Sequence, residues 1–176
     1  MVRIQLNLEC VDPKSIVVMG GSGGASMILD LISRTTVSAA IAGEPASHIF
    51  AGMLTKPAQD REIKYEAINN PVAFWTPDIV SKVQDKIGRF QTPLLILHSD
   101  IHPLKNLNMD YIIPEIKKAN KSLEVIIYPG KNHGFYWGTR VDAEFIESMI
   151  QDIRAFAEPH LKTKPVAIDQ KLYSAK

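Results

Sequence analysis

Residues 15–32 read SIVVMGGSGGASMILDLI, and the reading of their centre, Gly20-Gly21-Ser22-Gly23-Gly24, decides the fold. Ser15 to Met19 form a short run rich in β-branched residues that stops at Gly20, the pattern of a buried strand. From Ala25 to Arg34 the apolar residues Met27, Ile28, Leu31 and Ile32 fall at helical spacing. The glycines therefore join a strand to a helix. A Gly/Ser linker of similar composition joins independent modules, which this setting does not offer.

Two chemical readings of the turn remain. Gly21-Ser22-Gly23-Gly24-Ala25-Ser26 approximates the dinucleotide fingerprint G-x-G-x-x-G, with Ser26 in place of the third glycine. Glu44 then lies about twenty residues downstream, where a ribose-binding carboxylate belongs. Its plainer reading is a solvated loop carboxylate. Alternatively, Gly20, Ser22 and Gly24 satisfy G-x-S-x-G, the turn that presents a nucleophilic serine at a helix N-terminus. Small residues on either side of that serine let strand and helix approach closely.

Outward from this turn, residues 37–43 (VSAAIAG) form a second strand, and the intervening helix makes the pair a parallel βαβ unit. Residues 44–76 carry turn signals and local helix, followed by the helical DIVSKVQDKIG, which Thr76 caps and Pro77 opens. TPLLILH (92–98) and LEVIIYPG (123–130) supply two further strands at about 93–98 and 123–128. Between them, NLNMDYIIPEIKKAN is helical in composition, with Pro114 kinking or restarting it. DAEFIESMIQDIRAFAE (142–158) is an amphipathic helix. Before the first strand, VDPK supplies a turn, and Val2, Ile4, Leu6, Leu8 and Cys10 alternate with polar residues as an added N-terminal strand does. The expected class is α/β, a mostly parallel sheet flanked by helices, in one domain over 1–160 with a loosely attached tail over 161–176.

Bulk properties narrow the function. The chain has 176 residues, 45% of them hydrophobic, which suits one core. Its 20 basic and 19 acidic residues are spread along the chain, so no electrostatic footprint for nucleic acid is present. No apolar run reaches the roughly 18 residues of a membrane span. A single cysteine, Cys10, excludes an internal disulfide and, with no secretory signal at Met1, favours the cytoplasm. His98, Asp100 and His102 form H-x-D-x-H, but no second group of ligands stands at a metal-site spacing, so no metal and no cofactor are expected.

A serine nucleophile needs a base within hydrogen-bond reach and an acid that orients the base. In the order of the α/β-hydrolase sheet, serine, acid, histidine, the sequence offers Asp100 past the third strand and His133 after the fourth. The segments VDPKSIVVMGGSGG, FQTPLLILHSDIHPL and VIIYPGKNHGF together resemble the C-terminal part of an α/β-hydrolase of the prolyl oligopeptidase-like and related esterase branch. The resemblance implies a truncated α/β-hydrolase fold with Ser22 as nucleophile, His133 as base and the Gly23 amide as an oxyanion donor. It places the triad acid four residues past His98, where this chain has His102. Asp100, a shifted loop or an incomplete triad are the alternatives. Phe135 and Trp137, beside the histidine, are expected to line the substrate pocket, whereas Phe74 and Trp75 read as core and His48 as a surface residue.

The function expected is a serine hydrolase that cleaves a small ester or short peptide through an acyl-enzyme. The alternatives are a non-catalytic α/β-hydrolase fragment and a dinucleotide-binding module. Relative to the parent family, the strand led by Ser15 would present an apolar sheet edge, from which a homodimer is expected.

Overall fold

A computed structural model describes residue 12 and residues 14–52, 57–119, 121–136 and 142–162, residues 57–60 by backbone alone. The expected strand over 2–10, Trp137 and most of the tail lie outside these residues. The elements run β1 (Val17–Gly21), α1 (Gly23–Ile32), β2 (Ala39–Gly43), α2 (Ser47–Gly52), α3 (Pro57–Asn69), α4 (Pro71–Phe74), α5 (Pro77–Gly88), β3 (Leu94–Ile101), α6 (Lys105–Leu107), a π turn (Asn108–Ile112), α7 (Ile113–Lys118), β4 (Leu123–Asn132) and α8 (Ala143–Ala157). Among the described residues the four strands form one sheet in the order β1-β2-β3-β4. Every pair is parallel, with Met19 beside Ile41, Ile41 beside Leu95, and Leu97 beside Ile126. This is the parallel α/β-hydrolase sheet that the sequence implies.

Strand alternation divides the core into two layers. Ala40, Ala42, Leu94 and Ile96 face one way, against Leu29 and Ile32 of α1, Phe50, Val83 and Ile87, and the buried face of α7. Ala39, Ile41, Leu95 and Leu97 face the other way, against Met149, Phe156 and Ala157 of α8. Right-handed crossovers account for this, since successive connections between neighbouring strands fall on one face and leave the opposite face to α8. β2 is buried along its whole length, and its small residues let both layers close on it.

Local signals behave as expected at several points. Asp12 accepts from the Lys14 amide and the Ser15 hydroxyl in the turn before β1. Thr76 caps α5 by accepting from Ile79 N–H, with Pro77 in the first turn. Pro114 restarts the helix after the π turn, whose wider winding accommodates a residue that lacks an N–H. Two expectations need correction. β3 continues to Ile101 and β4 to Asn132, past the apolar runs and the Pro-Gly turn, because polar residues go on pairing there through a register shift between Ser99 and Ile101. His48 is 3% exposed and so is not a surface residue.

Parallel strands send their carboxyl ends to one edge of the sheet, where ligands bind in open α/β folds. β1 delivers Ser22 there, β2 delivers Glu44, β3 is followed by His102, and β4 by His133.

Candidate active site

Ser22 has φ 54° and ψ −117°, a left-handed backbone that a residue with a side chain adopts only under constraint. Three hydrogen bonds hold it: its N–H donates to Gly43 O at 2.8 Å, and its carbonyl accepts from Ser26 N and Ala46 N, each at 3.2 Å. The Ser26 hydroxyl donates to Ala46 O at 2.7 Å and ties the same segments again. A Cβ on Gly20 would stand 2.6 Å from Gly24 O, so the strand can pass the helix this closely only with glycine at position 20. The arrangement is the strand-turn-helix of the nucleophile reading. Gly23 opens α1, so its N–H has no intrahelical acceptor and is free to meet an anion.

Glu44, read from sequence as a solvated or ribose-binding carboxylate, is neither. It is 0% exposed, also has a positive φ, 48°, and its N–H donates to Leu97 O. Its Oε1 accepts from the Ser99 hydroxyl, and its Oε2 accepts from Gly134 N–H at 2.5 Å. The same Oε2 lies 3.1 Å from His133 Nδ1. Burial of a carboxylate is costly unless its oxygens are satisfied, and these three contacts satisfy them. With both oxygens engaged, no carboxylate remains at this point of the edge for a dinucleotide ribose.

Asp100, the expected acid, makes no hydrogen bond or ion pair to His133, and its Oδ1 is buried without a partner. The physical reason is the extension of β3. Asp100 falls at the irregularity between Ser99 and Ile101, where regular pairing breaks, and it is the neighbouring Ser99 that donates to Glu44. His102 packs its ring against His133 with centroids 4.6 Å apart, and its Nδ1 accepts from Leu104 N–H at 3.0 Å. Burial first, then the positive field of His98, His133 and Lys64, lowers its pKa to about 3, so it is neutral with its proton on Nε2. Burial also lowers the pKa of His98, whose ring bonds Ser99 O through Nδ1 and Asn108 through Nε2.

One ligand atom each from Glu44, His102 and His133 falls within 4.8 Å of the others. A metal there would have to displace the Leu104 amide from His102 or the proton from its other nitrogen, so this donor set is committed to hydrogen bonds. Ser22 and His133 line one cleft of about 60 Å³ together with Ala46, His48, Lys64, His102, Pro103 and Leu104. Phe135 does not line it. That ring is buried against Tyr128 and Phe145 in the α8 layer, because the turn after His133 folds back onto the sheet. Its neighbour Tyr136 donates to Gly43 O at 2.9 Å and covers Gly21, where a Cβ would lie 2.5 Å from the ring. A larger cavity of about 560 Å³ beside Met27, Leu31 and Phe50 contains none of the candidate catalytic side chains.

The sequence pattern of the prolyl oligopeptidase family matches residues 1–163. The chain belongs to the prolyl oligopeptidase family. Among curated proteins no sequence match is found. Solved structures with a similar fold include the Pyrococcus horikoshii acylaminoacyl peptidase, at 16% identity and TM-score 0.65 over 98% of this chain and 28% of that one. A thermophilic esterase from the planctomycete Thermogutta terrifontis is similar at 20% identity and TM-score 0.59, over 93% and 63% of the two chains. A Mycobacterium tuberculosis puromycin-hydrolyzing peptidase gives 19% identity and TM-score 0.62, over 90% and 24%. The chain thus spans less than two thirds of each of these neighbours.

Within this prolyl oligopeptidase family chain, the site residue that sequence reasoning missed is Glu44. Its position after β2 is legible in the sequence, but neither the ribose-binding nor the solvated reading anticipates its contact with His133. The signal available was its place at the end of a strand predicted to lie beside that of Ser22, where a buried carboxylate meets whatever histidine the later strands bring.

Proposed function

We propose that the chain is a serine hydrolase of the prolyl oligopeptidase family that cleaves an ester or peptide bond through an acyl-enzyme. Ser22 Oγ attacks the carbonyl carbon while its proton passes to His133 Nε2. The carbonyl oxygen becomes an oxyanion and accepts from Gly23 N–H. Collapse of the tetrahedral intermediate breaks the bond to the leaving group, which takes the proton from His133. Water, deprotonated by the same nitrogen, then attacks the acyl-enzyme and regenerates Ser22. The reading is carried by the strained backbone of Ser22 in a cleft that it shares with His133. Strain of this kind is worth on the order of 1–3 kcal/mol, and it persists where the surrounding structure enforces it.

Incubation of the folded chain with a fluorophosphonate probe, followed by peptide mapping, tests the reading. Labelling at Ser22 that Ser22→Ala abolishes is the expected result, and His133→Gln should slow it by several orders of magnitude. A folded chain that the probe leaves unlabelled would instead be a non-catalytic member of the family.

A further inference from the structure

We propose that Glu44, carried by the second strand of the sheet, is the positioning carboxylate that orients His133. The proposal rests on the reading of Ser22 and His133 as nucleophile and base, and it assigns the third role to a residue outside the loop where the resemblance places it.

The geometry is that of an orienting acid. Glu44 Oε2 meets Nδ1 of His133 at 3.1 Å, which leaves the other ring nitrogen, Nε2, to receive the proton of Ser22. Ser99 O–H fixes one carboxylate oxygen and Gly134 N–H the other, so the carboxylate cannot rotate away from the ring. Gly134 adjoins His133, and the same oxygen therefore positions both the backbone and the side chain of the base. Complete burial of Glu44 strengthens its interaction with the imidazolium that forms when Ser22 gives up its proton. The proton itself moves only from Ser22 Oγ to His133 Nε2, while Nδ1–H stays on the ring and continues to donate to Glu44.

The competing groups are accounted for. Asp100 makes no hydrogen bond or ion pair with His133, and its Oδ1 is buried without a partner. His102 occupies the expected loop position, but its Nδ1 already accepts from Leu104 N–H, and a neutral ring protonated on Nε2 has no acceptor to offer. A loop acid is thus replaced by a neutral histidine, while an acid appears one strand away and reaches the same nitrogen.

The test compares Glu44→Gln with Asp100→Asn by two readouts. Proton NMR of the chain follows the far-downfield Nδ1–H resonance of a histidine bonded to a carboxylate, assigned by its loss in His133→Gln. Fluorophosphonate labelling follows Ser22. Glu44→Gln should remove the downfield resonance and slow labelling on the order of 10³–10⁴-fold. Asp100→Asn should keep both. A resonance that survives Glu44→Gln, labelling at the wild-type rate in that variant, or loss of either signal in folded Asp100→Asn overturns the assignment. Should Glu44→Gln fail to fold, Glu44→Asp, which draws the carboxylate back by one methylene, should shift the resonance upfield and slow labelling, and an unchanged resonance and rate in that variant overturn the assignment. A wild-type chain that shows the resonance but resists the probe leaves the contact established and removes the hydrolase reading, so the two failures are distinct.

Discussion

Ser22 and Glu44 are the non-glycine residues with positive φ among those described, and each stands one residue past the end of a strand. The chain leaves the sheet abruptly at both points, which aims each side chain along the edge instead of across a face. Gly20 permits the first of these turns by its closeness to Gly24 O, whereas a Cβ on Gly24 itself would meet nothing within 4 Å. Two glycines that look equivalent in the motif therefore have different jobs. Gly20→Ala should destabilise the fold by about 1–3 kcal/mol through a backbone clash that side-chain rotation cannot relieve. It should also reduce probe labelling of Ser22. Gly24→Ala, inside helix α1, should be neutral or stabilise by up to about 1 kcal/mol. Urea denaturation of the pair checks this, and equal losses in both variants would show that the elbow is not held by the approach of Gly20. Ser22 was legible because its motif is local. Glu44 was not, since the histidine it contacts is adjacent to Gly134, 90 positions away, and no periodicity records such a meeting.

The elements after β3 show where sequence patterns lose their grip. The apolar run stops at His98, but β3 pairs through to Ile101, because beyond that point the strand faces the site and carries Ser99 in place of core residues. Pro114 correctly marked a break in the following helix. What it did not reveal is that the π turn at Asn108–Ile112 sets a completely buried asparagine against two other elements. Asn108 Nδ2 donates to Pro45 O at 3.0 Å and to His98 Nε2 at 2.9 Å, which joins the segment after Glu44 to β3. Asn108→Ala leaves His98 Nε2 without a donor, at about 1–3 kcal/mol, and Pro45 O with only the long bond from the Ser47 hydroxyl at 3.5 Å, at a smaller cost. A stability loss of about 2–4 kcal/mol in chemical denaturation is expected, and a loss below about 0.5 kcal/mol would mean that the π turn is not a structural joint.

Across the whole molecule, the alternating strands that were readable in the sequence generate a two-layered core, and the parallel order then brings three histidines, His98, His102 and His133, into a row at one edge. Ring centroids of His98 and His102 lie 4.9 Å apart, and those of His102 and His133 4.6 Å. Such a row is tolerated only while its buried members stay neutral. Burial lowers the pKa of His98 and takes that of His102 from 6.5 to about 3. In the unfolded chain both rings titrate near the ordinary histidine value of about 6.5. Below that pH the unfolded state binds protons that the native state refuses, so the stability present above about pH 6.5 declines as the pH falls toward about 3. The slope is at most about 1.4 kcal/mol per pH unit for each ring, and above the unfolded value these two residues contribute no further pH dependence. Tm measured by circular dichroism should therefore fall between about pH 6.5 and about pH 5. His102→Gln keeps an acceptor for Leu104 N–H but cannot titrate, so it should flatten part of that fall. An acid slope that is identical in His102→Gln and the parent chain would show that the buried ring is not kept neutral by the fold.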